Sequence, residues 1–242
     1  MCAEPAGGRF VTTKWTLVGS AGDGSDTQAR EALSALCQIY WPPLYSYLRR
    51  HGHNREEAED LVQGFFARLL ERGDVRTADP ARGRFRSFLL TALKRYAINE
   101  HQRGISVKRG GPQGPLSLDF DDAERHTARE PRTDDTPERV FDRRWAAISL
   151  DRAEQRLRNE CCQSGKGAQA EVLLPYLTES GELPTYNEAA EKLGLSEGAV
   201  KVAVHRLRRR FGALLRHEIA DTVIAPEDVE DEVRELIRAV SA

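Results

Sequence analysis

TYNEAAEKLGLSEGAVKVAVHRLRRRF, residues Thr185–Phe211, is the stretch whose reading decides the fold. Thr185 and Glu188 stand at the spacing where an N-cap side chain and an N3 side chain satisfy each other's backbone donors. A short helix is expected from there through Leu193. Gly194 can take the left-handed conformation that ends it, Leu195 packs, and Ser196 caps the next helix. On that second helix Val200, Val204, Leu207, Phe211 and Leu214 fall on one stripe at the helical period. Opposite them fall Lys201, Val202, His205, Arg206, Arg208 and Arg209. Ala190 allows close helix approach, Gly194 permits the turn and Val200 anchors the second helix, the spacing a helix-turn-helix requires.

A basic amphipathic helix taken alone is most often a solvated face. With the capping box, the turn glycine and the anchor valine before it, the same face suits a DNA major groove. Early residues would approach base edges and later arginines phosphates. The candidate DNA contacts are therefore Ser196, Lys201, Val202, His205, Arg206, Arg208 and Arg209. Val202 sits outward among charges, where it can meet a thymine methyl.

Charge distribution widens this reading. The 242 residues carry a net charge of only −2, yet the charges are strongly segregated. Arg82–Arg109 holds eight Lys/Arg against one acid, and Asp119–Glu138 holds eight acids against three arginines. Lys201–Arg216 holds six bases and no acid, and Glu218–Ala242 holds eight acids and two arginines. Two basic surfaces separated by an acidic connector imply two contacts with a polyanion.

The rest of the chain reads as helical, with no convincing period-two alternation. A helical pattern from Gln28 passes through Leu33, Leu36 and Ile39 and is expected to break at Pro42-Pro43. It resumes at Leu44 and ends at Gly52. Asn54 is the expected N-cap of a helix carrying Leu61, Val62, Phe65, Phe66, Leu69 and Leu70, closed by Gly73. After a loop, FRSFLLTALKRYAINEHQR (Phe85–Arg103) gives a third helix. Glycine and proline then gather from Gly104, and an exposed acidic linker is expected as far as Thr136. Thr136-Pro137 marks the next helix start. Residues 1–27 are polar and Gly-rich, with only Phe10–Val18 expected to pack.

These features bound the function classes. No run of about 18 apolar residues suggests a membrane span, and the N-terminus lacks a secretory pattern, so a cytoplasmic protein is expected. Cys2, Cys37, Cys161 and Cys162 have no CxxC spacing, and His51-Gly52-His53 lacks a third ligand at helical spacing. No metal or cofactor is expected. No cluster of nucleophile, carboxylates or ligands stands out, so the chain is not expected to be an enzyme. SGKG at Ser164–Gly167 lacks phosphate-loop spacing.

GLSEGAVKVAVHRLRRRF resembles the DNA-reading helix, in region 4, of bacterial sigma factors of the extracytoplasmic-function (ECF) type. EEAEDLVQGFFARLLER (Glu56–Arg72) is similar to the region 2 helix by which such factors dock on RNA polymerase. Phe85–Arg103 looks like the helix that melts and reads the −10 element. The resemblance covers about residues 28–104 and 139–216 and preserves the family's order. It implies an all-α fold of two small domains, a region 2-like bundle over 28–104 and a region 4-like helix-turn-helix over 139–217. They would be joined by a flexible acidic linker over 105–138, with an N-terminal extension over 1–27 and an acidic tail over 218–242.

The same resemblance implies core RNA polymerase and promoter DNA as partners, duplex at −35 and single-stranded at −10. Asp60, Gln63, Arg68 and Arg72 then become the candidate polymerase contacts, on a mixed-charge helix face. Arg84, Arg86, Lys94, Arg95, Asn99 and Arg103 become the candidate −10 contacts, with residues 74–84 shaping a base pocket. Phe88, Arg95 and Asn99 stand where the family usually has tryptophan, asparagine and aspartate, so the −10 sequence read is left open. An anti-sigma factor or a regulatory kinase is consistent with the family, and no residue singles out either. A helix-turn-helix regulator outside the polymerase explains 185–211 equally well but not the region 2-like pair of helices. A nucleic-acid enzyme with a C-terminal DNA-binding domain is the weaker alternative.

Overall fold

In the computed structural model, residues 27–72, 84–104, 118–129, 135–177, 183–223 and 227–241 are described. The expectations for residues 10–18, for Gly73, for the loop 74–83 and for the linker over 105–117 lie outside them. The protein is all-α, with no strand among the described residues. The chain divides into two compact units, one reaching to Trp145 together with Ala220–Asp228, the other Ala146–Ile219 with Val229–Ala242.

The first unit is built on α1 (Thr27–Arg50), α2 (Arg55–Arg72) and α3 (Phe85–Gly104). Contrary to the sequence expectation, α1 runs straight through Pro42 and Pro43. The prolines remove two backbone donors, but every residue from Trp41 to Leu48 is buried. Packing on all sides holds a helix that propensity alone would break. Asn54 caps α2 as expected. Glu57 N donates to Asn54 Oδ1 at 2.9 Å and Asn54 N donates to Glu57 Oε2 at 3.1 Å, so the cap is a reciprocal box. Val62, Phe65, Phe66 and Leu69 of α2 and Phe85, Leu89 and Leu93 of α3 are buried, and the two helices pack on each other, with Phe65 5.9 Å from the Tyr96 ring. Gly64 permits the close approach, because a Cβ there would collide with the Tyr96 hydroxyl.

The acidic stretch expected to be an exposed linker contains α4 (Phe120–Arg129), which packs on α1. Phe120 lies 5.1 Å from the Trp41 ring and 5.5 Å from the Tyr45 ring. Ala123 is buried beside it. Glu124 accepts from the Tyr45 hydroxyl at 2.6 Å and from Arg49 at 2.7 and 3.0 Å. The Arg49 hydrogen bonds hold the Glu124 carboxyl below its usual range. The sequence hides this helix because its apolar anchors are few and its cohesion lies in ion pairs made to a distant helix.

Helix α5 (Pro137–Gln163) starts where Thr136-Pro137 predicts, with Arg139 N donating to Thr136 Oγ1 at 3.3 Å. Its first turns bury Val140, Phe141 and Trp145 within the first unit, so the division falls at Trp145 rather than at residue 139.

The second unit contains the rest of α5, then α6 (Gly167–Leu173), a 3-10 turn (Leu174–Leu177), α7 (Tyr186–Leu193), α8 (Glu197–Ala220) as far as Ile219 and α9 (Asp228–Ser241) from Val229 onward. Leu173, Tyr176, Ala189, Ala190, Val200 and Val204 form a buried cluster. Glu218, placed by the sequence at the start of an acidic tail, lies instead in the packed end of α8. It is only 4% exposed, with Arg152 Nε 3.1 Å from one carboxylate oxygen and Arg156 Nε 2.6 Å from the other. The tail itself forms α9, which buries Val233 and Leu236 and ties Glu230 to Arg216 at 2.6 Å. No described helix is long and apolar enough to cross a membrane.

Candidate nucleic-acid interface

The approach to α8 is fixed from the 3-10 turn. Tyr176 O–H donates to the Pro184 carbonyl at 2.6 Å, and its ring stacks on Tyr186 at 5.2 Å. Thr185 then forms the capping box: Glu188 N donates to Thr185 Oγ1 at 3.2 Å and Thr185 N donates to Glu188 Oε2 at 2.7 Å. Gly194 takes φ 63°, ψ 33°, and Leu195 N donates back to the Ala190 carbonyl at 3.0 Å. That left-handed step turns the chain, and it is cheap only for a residue without a Cβ. Ser196 Oγ accepts from Ala199 N at 3.2 Å and so starts α8. Ala190 and Val200 are buried at 4% and 0% exposure, which locks the two helices together at the expected contact.

The opposite face of α8 carries Val202, His205, Arg206 and Arg209, all exposed. No ion pair engages Arg206 or Arg209 among the described residues. Lys201 is exposed and pairs with Glu197 at 2.6 Å, one turn back on its own helix. Arg208 departs from the expected pattern. Its Nε and Nη2 donate to the Tyr176 carbonyl at 3.2 and 2.8 Å, so it braces the 3-10 turn. Arg210, absent from the sequence candidates, is held by Glu160 at 2.6 and 2.7 Å, which lowers the Glu160 carboxyl. Val202 is half exposed and lines a groove of about 760 Å³ whose floor includes Leu157, Cys161, Leu173 and Leu207.

Within the first unit, α3 presents a divided cationic set. Arg86 is buried: it pairs with Asp142 and lies 4.7 Å from the Trp145 ring. A buried, paired guanidinium is a poor phosphate tracker, so its expected −10 role is replaced by a structural one. Lys94 is held by Glu138 at 2.7 Å and sits 5.3 Å from the Tyr47 ring. Arg84 is half-buried just before α3, where its carbonyl accepts from Ser87 N and Phe88 N. Arg95 and Asn99 are exposed together with Ser87, Thr91, Ile98 and Gln102, on one face of the helix. Ile98 is not among the sequence candidates, and its exposure is visible only in the fold. The side chain of Arg103 lies outside the described residues.

Phe88, half-buried, stacks on Phe85 at 6.2 Å, and Tyr96 lies 5.9 Å from Phe65. On α2, Asp60 is exposed, Gln63 is half-buried, and Arg68 lies 5.9 Å from the Tyr96 ring. The Arg72 side chain lies outside the described residues.

Residues 36–104, which hold most of α1 with α2 and α3, match the family model of sigma-70 region 2. The chain carries a sigma-70 region 2 domain. Over these residues the chain is similar to region 2 of sigma-70 factors, and the match covers less than a third of its length. No curated protein and no solved structure matches the chain. The sigma-70 match covers the helices that carry Asp60, Gln63, Arg68 and Arg72, and also Arg84–Arg103. It does not extend to α7 and α8, for which the local geometry alone speaks.

Proposed function

We propose that this chain is a sigma-70 family sigma factor of the ECF type. In this reading α8 reads the −35 element as duplex, α3 takes the −10 strand and α2 carries the docking face for core polymerase. The observation that carries it is the pairing, in one chain, of the region 2 match over 36–104 with an exposed basic helix set by a capping box and a left-handed glycine. A helix-turn-helix regulator would need only the second of these.

Such a protein performs no bond chemistry of its own. It holds core polymerase at a promoter and stabilises the unpaired strand, which calls for cations along phosphates and a surface for unstacked bases. Arg206 and Arg209 supply exposed charge on α8, while Arg95 and Asn99 supply a cation and a base-edge donor–acceptor on α3. The test is run-off transcription with core polymerase on a promoter library, where initiation from a subset of sequences is expected. Binding to core without initiation from any sequence would overturn the reading. Within that assay Val202→Asp is expected to abolish −35 recognition, because a carboxylate would face the DNA. Undiminished promoter activity would remove Val202 from the interface.

A further inference from the structure

Ile98 is the most exposed large apolar side chain among the described residues, at 59%. It lies on α3, within the face formed by Ser87, Thr91, Arg95, Asn99 and Gln102, all exposed. At about 100° per residue these positions span roughly a third of the helix circumference, and Ile98 falls inside that arc. The face contains no carboxylate. The acid of α3, Glu100, falls on the other side and is half-buried. The other basic helix repeats the arrangement: Val202 is 50% exposed on α8 between Lys201, His205 and Arg206. An aliphatic group kept in water on a polar face gains nothing for the fold, since burial is where such groups stabilise.

We propose that Ile98 is a specificity-determining residue that packs against the C5 methyl of a thymine in the unpaired promoter strand. The proposal rests on the promoter-melting role given above. Thymine is the base whose edge offers an apolar group, and every other base edge offers only donors and acceptors. A β-branched side chain is stiff at χ1, so Ile98 presents its methyls without losing rotamer freedom on binding. Arg95, one turn before it, meets a phosphate, and Asn99 beside it reads a base edge through its amide. The three side chains thus divide the strand into backbone, base edge and methyl.

The experiment uses the full chain assembled with core polymerase, on a promoter recovered from the library. Thymines of the non-template −10 strand are replaced one at a time by deoxyuridine, which lacks only the methyl. Opening is read by permanganate reactivity and complex half-life. For the wild type, deoxyuridine at one position is expected to weaken the open complex about fourfold, the transfer value of one methyl-sized group. Ile98→Ala should show that loss on thymine and no further loss on deoxyuridine at the same position. Ile98→Val, which keeps the β-branch, should retain most of the discrimination. Independent, multiplying effects of the two changes would overturn the assignment, as would a wild type indifferent to every deoxyuridine. Ile98→Ala lowering affinity for core polymerase while leaving the uracil response intact would also overturn it, making Ile98 a protein contact. Absence of initiation from every library member would overturn the sigma reading itself, so the two failures are distinguishable.

Discussion

On α8, Arg206 and Arg209 reach solvent with no ion pair among the described residues, whereas on α3 Arg86 is closed off by Asp142 and Trp145 and Lys94 is held by Glu138. Along the sequence the two helices look alike, each a basic run followed by an acidic one. In the first unit two of the acids that follow return to α3, Glu138 to Lys94 and Asp142 to Arg86, while Glu124 meets Arg49 of α1. In the second unit the acids nearest α8 reach Arg210 and Arg216 and leave the central part of its outer face open. Charge counted along a chain therefore measures supply, and pairing measures what a polyanion can still use.

The largest effect is expected from the buried side of α8, on which its open face depends. Val200 is fully buried, so Val200→Asp places an unpaired carboxylate among Tyr176, Ala190 and Val204. A cost of about 3–5 kcal/mol is expected. Thermal unfolding followed by circular dichroism should lose its second-unit transition, and DNA binding should fall with it. Near-wild-type melting would mean that the stripe is not what positions the basic face.

A smaller effect is expected where the acidic segment is fastened to α1. Glu124→Ala leaves Arg49 and the Tyr45 hydroxyl without their shared acceptor, at a cost of about 2 kcal/mol. Hydrogen exchange should then accelerate through residues 120–129 before it does in α1 or α2. The pH dependence has a definite sign. Arg49 depresses the Glu124 carboxyl, so its contribution is fully present above the ordinary carboxylate range and is lost as pH falls through the depressed value. The Glu124→Ala protein should therefore converge with the wild type in strong acid and separate from it towards neutrality. A constant difference at every pH would assign the effect to packing alone.

What was legible in the sequence was local. Asn54, Thr136, Thr185, Gly194 and Ser196 act within a few residues of themselves, and each is found in its expected place. The stripe of Val200 and Val204 was equally readable, because helical periodicity is a local property. The failures involve residues far apart. Pro42-Pro43 signalled a break that surrounding side chains prevent. Phe120 signalled little until Trp41 and Tyr45 stood around it. Arg86, Arg208 and Glu218 carry charges that sequence reading sends to the surface, while the fold gives them partners on other elements. Ile98 carries no sequence signal of its own, and only its 59% exposure in the fold marks it out.

The comparison can be sharpened within α8 by setting Arg206 against Arg208. Arg206→Ala is expected to weaken promoter binding about tenfold and to flatten the salt dependence by about one counterion. Arg208→Ala removes the two hydrogen bonds to the Tyr176 carbonyl. It should lower stability by about 1 kcal/mol and change the salt slope little. Filter binding across a salt series, beside denaturant midpoints, separates them. Equal salt slopes for the two variants would return Arg208 to the interface.

The smallest effect concerns Lys94, where the two helices differ most in availability. Lys94 and Glu138 are 39% and 47% exposed, so the ion pair contributes at most about 1 kcal/mol, and a phosphate can displace the carboxylate. Lys94 also keeps its contact with the Tyr47 ring when the acid is gone. The ammonium holds the Glu138 carboxyl below its usual range, so the competing charge persists at neutral pH. Glu138→Gln should leave the melting temperature nearly unchanged and raise affinity for the unpaired strand about two- to threefold at low salt. That gain should shrink as ionic strength screens both competitors. A gain of that form would make the acidic segment a competitor for the strand, and Lys94 a contact released on binding. If affinity is unchanged at every salt concentration, Lys94 belongs with Arg86 as a structural cation, and among the described residues Arg95 carries the exposed charge of this face.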